Sequence, residues 1–107
     1  WVGLDIKAPL HCHDALTGVP GSGERARESL RALLASGVAY ECRTTWHPGL
    51  FGMDALLALA QALGALGVQH WVLQACRVPG AAAVELASDQ LARLAAPFSR
   101  FAWRCEG

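Results

Sequence analysis

Four short β-rich runs alternate with three helical patterns along this chain, and that alternation limits the folds open to it. Successive βα units are typical of a parallel sheet, so the sequence predicts the α/β fold class. The predicted strands cover 1–7, 38–46, 69–76 and 99–104. The predicted helices cover about 24–36, about 54–66 and a third segment from near 88 until Pro97.

Small residues are expected to delimit these helices. Ser22 and Ser88 can serve as N-caps, because a side-chain hydroxyl accepts a hydrogen bond from a free amide of the first turn. Gly37 and Gly67 can end the first two helices, because glycine readily adopts the left-handed backbone conformation found there.

The size and composition of the chain indicate a single domain-sized unit, part of whose apolar surface is covered by a partner. Its 107 residues fit one domain. The hydrophobic content of 53% and the mean hydropathy of +0.27 are high for a free-standing domain of this size. Because the sequence starts at Trp1 inside a predicted strand, we expect residues 1–107 to be a piece of a longer protein.

Charge and hydropathy argue against two classes of partner. Nine basic and nine acidic residues give no net charge, and no cluster of Lys or Arg appears, so nucleic-acid binding is not supported. No stretch approaches the roughly 18 apolar residues of a membrane helix, and the start does not resemble a signal peptide. We therefore expect a cytoplasmic protein with neither nucleic acid nor a membrane as partner.

Cysteine and histidine do not occur at metal-binding spacings. Four cysteines lie far apart in the sequence: Cys12, Cys42, Cys76 and Cys105. Inert packing is expected for each, because free cysteine is commonly buried in cytoplasmic proteins. His11 and His13 flank Cys12, but a structural zinc ion needs four ligands and nothing nearby completes the set. The sequence therefore predicts no metal ligand in this chain.

Asp5 and Lys7 place opposite charges on one face of the first predicted strand. Side chains alternate along a strand, so Gly3, Asp5 and Lys7 point one way while the apolar residues between them point the other. A charge on a buried parallel strand is costly unless it is paired or bound to a ligand. Two interpretations stay open, a ligand site and a salt bridge at the end of the strand.

Polar residues on the next two strands fit the same pattern. Arg43 shares a face with Glu41 and Thr45, and a guanidinium there needs an anion, either a ligand carboxylate or phosphate or an internal partner, Glu41 or Asp5. On the third strand Gln74 and Cys76 share a face, although Gln74 alone is more typical of a satisfied polar core residue. Function in parallel α/β proteins lies at the carboxyl ends of the strands.

Four segments in a fixed order carry a resemblance to a known family. They are WVGLDIKAP at 1–9, LTG at 16–18, SGVAYECRTTWHPG at 36–49 and WVLQACR at 71–77. Together they resemble the C-terminal half of radical S-adenosylmethionine (SAM) activating enzymes. The resemblance is nearer to the activators of anaerobic ribonucleoside-triphosphate reductase than to those of pyruvate formate-lyase, and it covers nearly the whole chain.

The resemblance implies a fold, two cofactors and a partner. The fold would be the C-terminal half of a partial, TIM-like (β/α)6 barrel. Its absent N-terminal half would carry a Cys-x-x-x-Cys-x-x-Cys loop that binds a 4Fe-4S cluster. That cluster would cleave SAM to a 5′-deoxyadenosyl radical, which would form a glycyl radical on a partner enzyme, anaerobic ribonucleotide reductase. By itself the fragment is expected to be inactive.

The same resemblance implies which residues bind SAM. Asp5 and Lys7 match an Asp-x-Lys pair that helps to hold SAM, with Lys7 against its carboxylate, and Arg43 matches an arginine that faces the same site. Cys76 lies about where relatives place a residue that contacts the ligand, and Gln74 shares its face. Two alternatives stay open: a radical SAM enzyme of another specificity, and a non-catalytic α/β interaction module whose charges only pair with one another.

Overall fold

A computed structural model describes residues 2–6, 21–49, 51–75, 80 and 84–104 of the chain. The strands are β1 (Val2–Asp5), β2 (Tyr40–Trp46), β3 (His70–Ala75) and β4 (Arg100–Arg104). The helices are α1 (Ser22–Ser36), α2 (Met53–Leu66) and α3 (Ser88–Ala95). None of these three helices has the length and apolar character needed to cross a membrane.

The four strands form one parallel sheet in the order β1-β2-β3-β4. Each strand pairs with the next one along the chain, and α1, α2 and α3 form the successive connections. The predicted α/β fold class and parallel sheet are therefore confirmed. The register places Asp5 beside Arg43, Thr45 beside Gln74, and Gln74 beside Arg104.

The hydrophobic core lies on one face of the sheet, between the strands and the helices. From the strands it takes alternate residues, among them Cys42, Trp46, Trp71 and Leu73, each at most 2% exposed. From the helices it takes an apolar stripe of buried residues: Leu30, Leu56, Leu59, Ala60, Leu63 and Leu94. Because period-two alternation sends one set of strand residues into this core, the other set must occupy the opposite face.

The helix ends agree with the sequence at the C-termini and differ at the N-termini. Gly37 and Gly67 adopt left-handed conformations, with φ of 72° and 100°, and end α1 and α2 as predicted. The predictions for Ser22 and Ser88 are wrong, because each is the first helical residue and the cap is the residue before it. At α3 the backbone N–H of the cap donates instead to Gln90 Oε1 at 2.9 Å.

Candidate functional site

The face of the sheet opposite the helices carries most of the charged side chains of the strands. We call it the polar face. Within the described residues it consists of Gly3, Asp5, Glu41, Arg43, Thr45, His70, Val72, Gln74, Arg100, Ala102 and Arg104. Strand alternation and the parallel register bring these residues together from all four strands, although they are distant in the sequence.

Arg43 is the cation that connects two carboxylates on this face. Its Nε lies 3.7 Å from Asp5 Oδ1 and 3.7 Å from Glu41 Oε2. Both distances allow electrostatic attraction but exceed the range of a hydrogen bond, and Nε is buried without a hydrogen-bond partner among the described residues. Arg43 therefore has the internal ion pairs that the sequence left open, and the hydrogen-bonding capacity of its Nε is unused in the described part of the chain.

Glu41 is the buried centre of a charge cluster, whose other members are Asp5, Arg43, His70 and Arg104. Its side chain is only 11% exposed, compared with 39% for Arg43 and 64% for Asp5. The other carboxylate oxygen, Oε1, lies 3.7 Å from His70 Nε2 and 3.8 Å from Arg104 Nη2. Groups from three strands thus surround one carboxylate, which compensates its burial.

Gly3 leaves the space that the Arg43 guanidinium occupies. A Cβ atom built on Gly3 would collide with Arg43 Nη2 and lie 2.8 Å from Cζ and 3.3 Å from Nε. The guanidinium therefore lies across β1, where any larger residue would displace it. The WVGLD sequence has a steric reason for glycine at this position.

The predicted site residues fall into two groups. Asp5, Arg43 and Gln74 lie on the polar face, with Asp5 and Arg43 adjacent in register and Gln74 half-buried on β3 beside Thr45. Lys7 and Cys76 lie outside the described residues, and their predicted roles stay predictions. The structure thus brings together Asp5 and Arg43, the two predicted site residues that it describes on β1 and β2.

Two members of the cluster, His70 and Arg104, were missed by the sequence reasoning as contributors to the site. Arg104 reaches Glu41 although β4 and β2 are separated by β3. The alternation of arginine with aromatic residues along Arg100–Arg104 was a usable signal, because it marks one polar and one apolar side of β4. What the sequence lacked was the register that sets Arg104 beside Gln74 and His70 beside Arg100.

The polar face has the chemistry of an anion or zwitterion site. Its described residues include three arginines, Arg43, Arg100 and Arg104, and two carboxylates, Asp5 and Glu41. Guanidinium groups bind carboxylates and phosphates well, while Asp5 is exposed enough to accept hydrogen bonds from an ammonium group. Within the described ranges, no group of three or more His, Cys, Asp or Glu side chains could hold a metal ion.

An open groove lies at the other end of the sheet. It is formed at the amino ends of β2, β3 and β4 by Val38, Ala39, Tyr40, Gln69, His70, Ser99 and Arg100. Several of its polar groups already bond to one another, since Gln69 N donates to Tyr40 Oη at 2.8 Å and Ser99 Oγ donates to Gln69 O at 3.3 Å. The groove shares His70 and Arg100 with the polar face, but it lies at the amino ends of the strands, whereas ligands of parallel α/β sheets bind at the carboxyl ends.

Cys42 lies in the core, away from the polar face, and is expected to be unreactive. It is fully buried, and this burial raises the pKa of its thiol to about 11, because the thiolate is poorly solvated there. Iodoacetamide at pH 8 should therefore label Cys42 slowly in the native chain and quickly in urea. Mass spectrometry of the peptide containing Cys42 checks this, and rapid native labelling would contradict the buried position.

Comparison with protein-family models, curated protein sequences and solved structures finds no match to this chain. What the chain itself defines is an α/β protein whose parallel sheet has helices on one face and a charge cluster on the other. The cluster is centred on Glu41 and includes Arg43.

Proposed function

We propose that this chain is the C-terminal half of a radical SAM activating enzyme, in which it supplies part of the SAM site. The whole enzyme would generate a 5′-deoxyadenosyl radical and form a glycyl radical on anaerobic ribonucleotide reductase. The sequence segments that resemble this family support the proposal. So does the α/β arrangement, whose four βα-connected parallel strands suit part of a (β/α)6 barrel.

The observation that carries the proposal is the pairing of Asp5 with Arg43. The two residues come from different segments of the resemblance, and they are direct register partners on one face of the sheet. The amino acid moiety of SAM bears an ammonium and a carboxylate. Asp5 can accept from the ammonium, while Lys7 and the terminal nitrogens of Arg43 can donate to the carboxylate.

The residues of this chain suit SAM but do not suit the 4Fe-4S cluster. Its four cysteines do not form a Cys-x-x-x-Cys-x-x-Cys motif, so they offer no set of closely spaced thiolates. The proposal therefore assigns the cluster ligands to a segment N-terminal to this chain. Gln74 and Cys76 complete the proposed SAM contacts on β3 and just after it.

The ion pairs of the charge cluster around Glu41 favour a second candidate, a non-catalytic α/β interaction module. Arg43 lies within 4 Å of both Asp5 and Glu41, and Arg104 lies within 4 Å of Glu41, so two carboxylates compensate the two guanidinium charges without a ligand. A radical SAM enzyme of another specificity is a variant of the first candidate, because the Asp-x-Lys pair concerns SAM and not the substrate.

The coding sequence upstream of the Trp1 codon provides the first test. We expect an in-frame Cys-x-x-x-Cys-x-x-Cys motif there. The full-length protein, reconstituted anaerobically with iron and sulfide and then reduced, should bind SAM and release 5′-deoxyadenosine. The 107-residue chain alone is the control, and it should neither take up a cluster nor cleave SAM.

Three outcomes separate the candidates. An upstream sequence without the motif, or a reconstituted protein that does not bind SAM, would overturn the proposal in favour of the interaction module. Electron paramagnetic resonance detects a glycyl radical on a reductase encoded next to this protein. If SAM is cleaved but no glycyl radical forms there, the protein is a radical SAM enzyme of another specificity. A glycyl radical signal that depends on the full-length protein supports the proposal.

A further inference from the structure

We propose that Glu41 is a positioning residue of the SAM site: it holds the Arg43 guanidinium in place without touching the ligand. This inference rests on the proposed function and deepens it. It concerns a residue that the family resemblance did not assign to the site.

The contacts of Glu41 show a carboxylate shared among neighbours. Oε2 lies 3.7 Å from Arg43 Nε, while Oε1 faces His70 Nε2 at 3.7 Å and Arg104 Nη2 at 3.8 Å. The Glu41 side chain has cationic or imidazole neighbours at both oxygens and is only 11% exposed, so it has little freedom to move. A fixed anion beside Nε restrains the direction of the guanidinium.

Burial also explains why Glu41 would act indirectly. A carboxylate that faced the carboxylate of SAM would repel it. Glu41 instead lies beside Arg43, His70 and Arg104, so its negative charge is compensated by these neighbours and attracts Arg43 Nε. Asp5, which is 64% exposed, is the carboxylate left accessible to the ammonium group.

Gly3 restrains the same guanidinium from the side of β1. Because a Cβ atom there would collide with Arg43 Nη2, only glycine permits the observed position. Glu41 attracts Nε, and Gly3 leaves room for Nη2. Both ion pairs of Arg43 are made by Nε, and the proposal assigns the two terminal nitrogens to the ligand carboxylate.

A double-mutant cycle on the full-length, reconstituted protein tests this inference. Glu41→Gln should weaken SAM binding on the order of tenfold in the wild-type background, since residues that share one network commonly couple to this extent. In an Arg43→Met background the same change should alter the dissociation constant less than about twofold, because the group that Glu41 positions is gone. Glu28→Gln on exposed α1 is the matched control and should leave SAM binding unchanged.

Gly3→Ala provides an independent arm that keeps every charge. The clash falls on the far end of a flexible side chain, so Arg43 can move aside and the melting temperature should change little. SAM binding should nevertheless weaken, again only when Arg43 is present. This variant decides the question if Glu41→Gln does not fold.

Each alternative result is decisive. Additive effects of Glu41→Gln and Arg43→Met, or a lowered melting temperature with unchanged SAM affinity in Glu41→Gln and Gly3→Ala, would show that Glu41 is only structural. A wild-type protein that carries its cluster but does not bind SAM would overturn the proposed function and this inference together. Weaker SAM binding in Glu41→Gln and Gly3→Ala only when Arg43 is present supports both the proposed function and the positioning role of Glu41.

Discussion

Alanine in place of Lys7 is expected to weaken SAM binding to the full-length protein roughly 10- to 150-fold. A charge-assisted contact between an ammonium group and a ligand carboxylate contributes about 1.5–3 kcal/mol, and about 1.4 kcal/mol corresponds to a tenfold change in affinity. Cluster content should stay normal, because no cluster ligand is assigned to this segment.

The surroundings of Asp5 sharpen this prediction. If Lys7 served only to balance Asp5, its removal would leave an unpaired carboxylate and lower stability without changing ligand affinity. Asp5 is 64% exposed and already has Arg43 Nε at 3.7 Å, so it is solvated and has another cationic partner. We therefore expect the melting temperature of Lys7→Ala without SAM to stay close to that of the wild type.

Titration of SAM alongside a thermal melt distinguishes the two roles. Arg31→Ala removes one positive charge from the exposed surface of α1 and is the matched control, with no effect expected on SAM binding. A lowered melting temperature together with unchanged affinity in Lys7→Ala would refute the role in SAM binding.

The parallel sheet was predictable because several independent patterns agreed. The alternation of β-rich and helical segments, the helix stripes around Leu30 and Leu63, and the glycines that end α1 and α2 all indicate βα units. The helix starts were less predictable. A serine near a helix N-terminus can be the cap or the first helical residue, and only the backbone conformation decides between them.

The candidate site was predictable only along each strand. Alternation placed Asp5 with Gly3, and Arg43 with Glu41, since neighbours on one strand fix one another's face. Across strands it offered Asp5 only as one of two possible partners of Arg43, because register depends on the packing of the whole sheet. The contacts of Glu41 with His70 and Arg104 required that register. Hence the sequence indicated Arg43, while the buried centre of the cluster emerged from the structure.

Substitution of Trp71 by alanine is expected to lower the free energy of unfolding by about 3–5 kcal/mol, the usual cost of truncating a buried aromatic residue. Trp71 has no exposed surface, and its ring centroid lies 5.2 Å from that of Phe98 and 5.7 Å from that of Phe101. A small domain has only about 5–15 kcal/mol of stability in total. The urea midpoint should therefore fall steeply, or the native state should not accumulate.

The indole N–H of Trp71 adds a polar element that a milder series can isolate. It donates to Thr44 Oγ1 at 3.0 Å, in a pair that is buried on the helix face. Trp71→Phe retains an aromatic ring but leaves the Thr44 hydroxyl without this donor. The loss of this hydrogen bond should lower the free energy of unfolding by about 1–3 kcal/mol. Adding Thr44→Val should recover part of that loss, because it removes the unpaired partner.

Trp71 also tests the separation of the two faces of the sheet. Its neighbours in sequence, His70 and Val72, belong to the polar face, while Trp71 itself lies among the helices. Trp71→Phe should therefore reduce stability in urea and leave the SAM affinity of the folded full-length protein unchanged, the reverse of the result expected for Gly3→Ala. A Trp71→Phe protein of normal stability and reduced SAM affinity would contradict this division, because it would mean that the helix face contributes to the ligand site.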